Sequence, residues 1–114
     1  MANNPGPQEN SGSAYDRPTP TFDRDLVSVL KGTPGGELLR RYWHPVAVSE
    51  EVKDIPVPVR ALGEDMILFR KPGGELGLVY PRCVHRGTNL LYGKVDERGI
   101  RCCYHGWLFD TDGK

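Results

Sequence analysis

The chain has no excess charge of either sign and no long hydrophobic run, and these absences exclude several classes of protein. Its 114 residues include 15 basic and 15 acidic side chains, so the formal net charge is zero. We therefore expect neither nucleic acid nor an anionic membrane as a partner. No apolar stretch approaches the ~20 residues of a membrane-spanning helix. The first residues lack the basic start and apolar stretch of a secretory signal, so we expect a cytoplasmic protein.

Cysteine and histidine are both scarce, with 3 residues of each type. An odd number of cysteines leaves one unpaired and does not suit a secreted disulfide framework. In a reducing compartment, cysteines that lie close to histidines are more often metal ligands or catalytic groups. Residues 83–105 contain all three cysteines and two of the histidines, so they are the first candidates for chemistry.

A polar segment precedes a β-prone part of the chain. Residues 1–21 are rich in Asn, Pro, Gly and Ser, which predicts a flexible tail. A short helix is expected after Asp23 or Asp25, and one further helical turn over 37–42. Short β-prone runs then alternate with turn signals, at 46–48, 57–61, 66–69, 76–80, 100–102 and 107–109. The fold class is therefore mainly β, a small antiparallel domain over residues 22–114 with a short N-terminal helix.

The last residues carry a turn signal with no strand after it. The segment 110–113 reads Asp-Thr-Asp-Gly, which is typical of a hairpin turn and needs a returning strand. The sequence ends one residue later, at Lys114. We therefore expect the domain to be incomplete at its C-terminus and to belong to a longer polypeptide.

The runs Cys83-Val-His85 and Cys102-Cys-Tyr-His105 each offer one thiol and one imidazole in a loop. Two such loops can close on a [2Fe–2S] cluster, with both cysteines on one iron and both histidines on the other. Glycine follows each histidine closely, which lets the backbone approach the cluster. Zinc is the alternative, but Cys₂His₂ zinc fingers usually group a cysteine pair and then a histidine pair. The mixed order favours the iron–sulfur cluster.

The motifs CVHRG and CCYHGW resemble the signature of Rieske non-haem iron aromatic ring-hydroxylating oxygenases. That signature lies in the N-terminal Rieske [2Fe–2S] domain of the large (alpha) subunit. Upstream segments such as GTPGGELLRRYWHPVAVSEE are similar to the phthalate dioxygenase and vanillate demethylase branch. The resemblance covers about residues 22–114. It implies that the cluster ligands are Cys83, His85, Cys102 and His105.

The resemblance also implies a function and partners. In this family a reductase or ferredoxin reduces the cluster, which passes single electrons to a mononuclear Fe(II) in a neighbouring subunit of a trimer-type homo-oligomer. That iron activates O₂ to hydroxylate or demethylate an aromatic substrate. It uses two histidines and a carboxylate in a C-terminal domain. Only His44 is left for such a site here, so we expect the oxygenase site to be missing. A free-standing Rieske ferredoxin is the alternative.

Several neighbouring residues have more than one interpretation. Cys103 is expected to be a small buried residue, with a redox-sensitive thiol as the alternative. Trp107 is expected to be core packing against the cluster loop, and Tyr42 and Trp43 fit either ordinary packing or a subunit contact. His44 is expected to be structural. A local basic excess could dock an acidic electron donor or could pair internally; it comprises Arg82, Arg86, Lys94, Arg98 and Arg101.

Overall fold

Two three-stranded antiparallel sheets form the body of the computed structural model, which describes residues 21–114. The expected tail over 1–21 lies, apart from its last residue, outside the described residues. The first sheet contains β1 (Val57–Ala61), β2 (Glu64–Arg70) and β3 (Leu76–Val79). The second contains β4 (Lys94–Asp96), β5 (Gly99–Arg101) and β6 (Leu108–Phe109). The strands in each sheet follow chain order, which confirms the mainly β antiparallel fold.

The first sheet begins with an edge strand, as its prolines indicate. Pro58 lies within β1, and β1 pairs only with β2 among the described strands. Proline has no amide hydrogen to donate, so an edge position leaves no ladder bond broken. Leu62 and Gly63 connect β1 to β2 with φ of 50° and 78°. Two positive φ values match a type I′ turn, whose twist suits a tight hairpin.

The hydrophobic core joins side chains from both sheets. The first sheet contributes residues from β2 and β3, the second contributes residues from β5 and β6, and one leucine comes from a 3-10 turn over Leu90–Tyr92. Cys83 and Cys102 belong to the same cluster, with 3% and 4% of their surfaces exposed. The other members are Ile67, Phe69, Val79, Leu90, Ile100 and Phe109. Both thiols are therefore fixed by packing against core side chains.

Two short helices precede the sheets, and the second starts earlier than expected. Helix α1 spans Arg24–Val27, and the Asp23 carboxylate caps it by accepting from the Asp25 amide at 2.9 Å. Helix α2 spans Pro34–Leu39 with Thr33 as its N-cap. This helix therefore starts three residues before the expected helical turn over 37–42, because Thr33 suits the N-cap and Pro34 suits the first helical position. No helix in the described part is long and apolar enough to cross a membrane.

The expected strand over 46–48 is wrong, because these residues pair with none of the described strands. The chain turns there into a 3-10 turn over Ser49–Glu51. Arg70 at the end of β2 donates to the carbonyl oxygens of Ser49 and Val52, each at 2.7 Å. Val52 is 2% exposed, so this arginine holds a buried residue against the sheet.

Large apolar side chains of the N-terminal segment lie exposed. The side chain of Trp43 is fully exposed, and Tyr42 is 65% exposed. Ordinary packing of these two residues within the described domain is therefore excluded. His44 is exposed too, and its Nε2 lies 2.7 Å from the carbonyl oxygen of Leu39, which fits a structural role.

Candidate metal centre

Two loops of equal length carry the predicted ligands. Loop 1 (residues 82–89) is closed by an isolated antiparallel bridge between Arg82 and Asn89. Loop 2 (residues 101–108) connects β5 to β6, with Arg101 opposite Leu108. The same spacing between the closing residues places Cys83 and Cys102 at equivalent positions, one residue into each loop.

The backbone hydrogen bonds of the two loops also correspond. In loop 1, the Cys83 amide donates to the Thr88 carbonyl at 2.9 Å, and the Gly87 amide donates to the Cys83 carbonyl at 2.7 Å. Loop 2 repeats both bonds, at 2.8 Å from Cys102 to Trp107 and at 3.0 Å from Gly106 to Cys102. Each loop therefore turns back on its own cysteine.

A glycine allows each loop to make this turn. The φ angles of Gly87 and Gly106 are 72° and 76°, in the left-handed region. A side chain at such a position clashes with the backbone and costs about 1–2 kcal/mol. The same conformational requirement thus explains why a glycine follows the histidine in each loop.

The surroundings of Cys102 lower the pKa of its thiol. Burial raises its pKa, but hydrogen bonds from the amides of Tyr104 and His105 and from the side chains of Cys83 and Thr88 outweigh this effect, so the pKa lies below its usual value. The thiolate is the form that binds a metal. Cys83 and Cys102 also belong to the same core cluster, so the two thiols lie in one buried region.

The two imidazoles lie together on the outer side. The ring centroids of His85 and His105 are 4.7 Å apart, with an angle of 70° between the planes. The His85 ring stacks on Trp107 at 5.0 Å and 2°, and the His105 ring lies 3.8 Å from that of Tyr104. Both histidines are exposed, unlike the cysteines. Trp107 packs against loop 1 as expected, but it is 49% exposed and therefore not in the core.

The side chains thus form a buried pair of thiols and an exposed pair of imidazoles. No group of three or more Cys, His, Asp or Glu side chains in residues 21–114 is arranged to hold one metal ion. The two irons of a cluster with mixed ligation each take one like pair. Two pairs of like donors match this ligand pattern.

The structure corrects the expectation for Cys103 and decides between the alternatives for two of the basic residues. Cys103 is exposed rather than buried, because loop 2 leaves the core directly after Cys102. Of the basic residues, Arg82 and Arg101 pair internally with glycine carbonyls of their own loops. Sequence reasoning missed this role, although the repeated Arg-Cys at the start of both motifs was a signal for it.

Comparison with known proteins identifies the family. The Rieske [2Fe–2S] domain family matches residues 42–114. The chain belongs to this family. A Rieske domain carries a [2Fe–2S] cluster, so the predicted cofactor is confirmed. The donor set of the two loops suits it, with two thiols for one iron and two imidazoles for the other.

The relatives of this Rieske domain are oxygenase subunits. The phenoxybenzoate dioxygenase alpha subunit of Ectopseudomonas oleovorans is 60% identical over 105 residues, which cover 92% of this chain and 26% of that protein. The phthalate 4,5-dioxygenase oxygenase subunit of Pseudomonas putida is 41% identical over 98 residues, covering 83% and 22%. The chain thus spans about a quarter of the length of these relatives. They confirm the phthalate dioxygenase and vanillate demethylase branch.

Solved structures agree with this placement. Dicamba monooxygenase with non-heme iron and dicamba matches with a TM-score of 0.57 and 30% identity, covering 61% of this chain and 21% of that one. An oxygenase–ferredoxin complex of carbazole 1,9a-dioxygenase matches with a TM-score of 0.51 and 32% identity, covering 61% and 19%. The Rieske fold is therefore shared with oxygenases.

Proposed function

We propose that this chain transfers single electrons through a Rieske cluster, with Cys83 and Cys102 on one iron and His85 and His105 on the other. The observation that carries the proposal is the separation of the donors into a buried thiol pair and an exposed imidazole pair on two matched loops. When bound, the cluster accepts and returns one electron at a time.

The protein side chains determine where that electron enters and leaves. The thiols are surrounded by core residues such as Ile100 and Phe109, so the cysteine side is almost fully shielded from solvent. His85 and His105 are exposed, so the imidazole edge is where a redox partner can approach. The neutral imidazoles also reduce the negative charge around their iron, which makes reduction easier than in a cluster with four cysteines.

The electron donor is a reductase or ferredoxin that docks beside the imidazole pair. The ferredoxin complex of carbazole 1,9a-dioxygenase supports a donor of this class. Arg86 and Lys94 are exposed, and neither forms an ion pair with the carboxylates of the described residues. They provide positive charge for an acidic donor, so electron transfer should slow as salt is added.

The acceptor is a mononuclear Fe(II) in a neighbouring subunit of a trimer-type homo-oligomer of the parent oxygenase. There O₂-dependent hydroxylation or demethylation of an aromatic compound takes place; the relatives are named for phenoxybenzoate and phthalate. Such an iron needs two histidines and a carboxylate. His44 is the one histidine of this sequence outside the cluster, so the 114-residue chain transfers electrons without oxygenating.

The proposal is tested by reconstituting the chain with iron and sulfide, then adding a reductase with NADH, Fe(II) and an aromatic carboxylate. Loss of the visible absorption on reduction, without hydroxylated product, is the expected result. Product formed by this chain alone would contradict it, since that requires a second iron site within these residues.

The ligand set is tested in the same preparation with a matched pair of histidine variants. His105→Gln should abolish the mixed-ligand spectrum, whereas His44→Gln should keep it because its Nε2 only contacts the Leu39 carbonyl. A colourless protein that binds one zinc ion would instead favour the zinc alternative.

A further inference from the structure

An arginine stands directly before the cysteine of each loop, and its side chain closes that loop. In loop 1, Arg82 Nη1 donates to the carbonyl oxygen of Gly87 at 3.2 Å. In loop 2, Arg101 Nη1 donates to the carbonyl oxygen of Gly106 at 2.9 Å. Both bonds run from the residue before the cysteine to the glycine with positive φ. The same arginine–glycine hydrogen bond therefore occurs in both loops.

We propose that Arg82 and Arg101 are positioning residues, which hold the two loops in the shape that presents the thiols and imidazoles to the cluster. The inference rests on the ligand set proposed above. Each guanidinium acts through a glycine whose amide already donates to the carbonyl of the loop's cysteine. The N–H of each glycine is thus bonded to the cysteine carbonyl, and the glycine carbonyl is bonded to the arginine side chain. The two bonds together fix the position of the cysteine backbone.

The two arginines differ in their electrostatic surroundings. Arg101 Nη2 also contacts Asp96 Oδ2 at 3.0 Å, and both side chains are about one-third exposed, at 34% and 33%. Arg82 is exposed and forms no ion pair with a carboxylate in the described part of the chain. Its charge is therefore not neutralised by any carboxylate among residues 21–114. Positive charge near a cluster favours the reduced, more negative state.

This difference predicts that the two arginines support their loops through different properties. Arg101 uses separate nitrogens for Gly106 and Asp96, a fork that the single ammonium of lysine cannot reproduce. Arg82 makes one such bond, which lysine can replace. We therefore expect loop 2 to depend on the shape of arginine, and loop 1 to depend on the presence of a charged donor.

The experiment compares R82Q, R82K, R101Q and R101K in the full chain after cluster reconstitution. R98Q is the matched control, because Arg98 is an exposed arginine in the β4–β5 turn whose side chain makes no hydrogen bond with the described residues. Two quantities are measured on the loaded protein, the rate of iron release to a chelator and the midpoint potential. Hydrogen exchange at the Gly87 and Gly106 amides is measured on the cluster-free chain.

R101Q should release iron at least about five-fold faster than wild type, because loss of the Gly106 bond alone corresponds to about that factor. R101K should recover little of this loss. R82Q should lower the midpoint potential, and R82K should restore it. The Gly106 amide in R101Q and the Gly87 amide in R82Q should exchange faster, while R98Q should behave as wild type in every measurement.

The proposal is wrong if R82Q and R101Q match R98Q in both iron release and glycine exchange. If R101Q does not fold, R101K and R82Q decide the question by the same comparison. Glycine exchange in the cluster-free chain does not depend on which residues bind iron. Failure of the ligand set, seen as an unchanged spectrum in His105→Gln, is therefore distinguishable from failure of the arginine proposal.

Discussion

Loop 1 and loop 2 share a backbone but differ in what surrounds it. Both turn back on a cysteine through a glycine in the left-handed region, with φ of 72° and 76°. Loop 2 lies between two paired strands, whereas loop 1 is closed by a single bridge from Arg82 to Asn89. The backbone thus presents the ligands in the same way in both loops, whereas the contacts that support each loop differ. Four of the following five predictions test how far the equivalence extends.

The largest effect is expected from the cysteines, on which the two loops should be equivalent. Cys83→Ser and Cys102→Ser should each abolish cluster binding, because a serine oxygen is a poor substitute for thiolate. Visible absorption of the reconstituted chain is the measurement. Cys103→Ser is the control, since Cys103 is exposed beside a ligand and should leave the spectrum intact. Retention of the spectrum in either ligand variant would remove that cysteine from the site.

The histidines should also be equivalent, with an effect on potential rather than on cluster binding. Replacing His85 or His105 with Cys should retain a cluster, because a thiolate can take the place of an imidazole. The added negative charge should move the potential toward about −400 mV, the value for clusters with four cysteines. Protein-film voltammetry measures the shift, and a potential equal to wild type would mean that the replaced histidine is not a ligand.

The wild-type potential should lie toward the bottom of the roughly −150 to +300 mV Rieske range. In respiratory Rieske proteins, as the family resemblance implies, extra cysteines would occupy positions 88 and 104, where this chain has Thr88 and Tyr104. A measured value above about +150 mV on the same scale would contradict this expectation.

The glycines test the shared backbone with a smaller effect. Gly87→Ala and Gly106→Ala should each destabilise the cluster-free chain by about 1–2 kcal/mol, because alanine is strained at positive φ. An added Cβ has room at both positions, with nothing closer than 4.0 Å, so strain is the main cost. Gly73→Ala is the control, since it is also in open space but without a positive φ. Urea denaturation should separate the two loop variants from this control.

The smallest effect is a pH dependence that only loop 2 should show. The Arg98 amide and the Arg101 guanidinium donate to Asp96 and hold its pKa below its usual value. The folded pKa lies below the unfolded one, so this contribution is present above about pH 3.9 and is lost as pH falls through the folded pKa. Urea denaturation between pH 6 and 3 should show a shallower acid loss of stability for D96N than for wild type. An equal slope would show that Asp96 does not link stability to protonation.

Two residues of loop 2 and one expected strand show where sequence reasoning was incomplete. The β runs, the edge position of β1 and the Asp23 cap were readable from local patterns. Cys103 and Trp107 were expected to be buried, because small and aromatic residues near a core usually are. Both lie in loop 2 where it projects from the core, and the direction of a loop depends on contacts with distant residues. The strand expected over 46–48 did not form, and Arg70, 18 or more positions away, instead binds Ser49 and Val52 in the segment that follows.

The sequence by itself determined the chemistry: two short Cys/His motifs, each followed by glycine, specify which donors are available and how each loop can turn. This is local information, because ligand type and backbone freedom depend on residues a few positions apart. Only the tertiary structure decided that the thiols are buried together while the imidazoles meet at the surface. Packing of β5 and β6 against β2 and β3 brings the two loops to one side of the core. Contacts between residues far apart in the chain, which no local pattern encodes, set that separation.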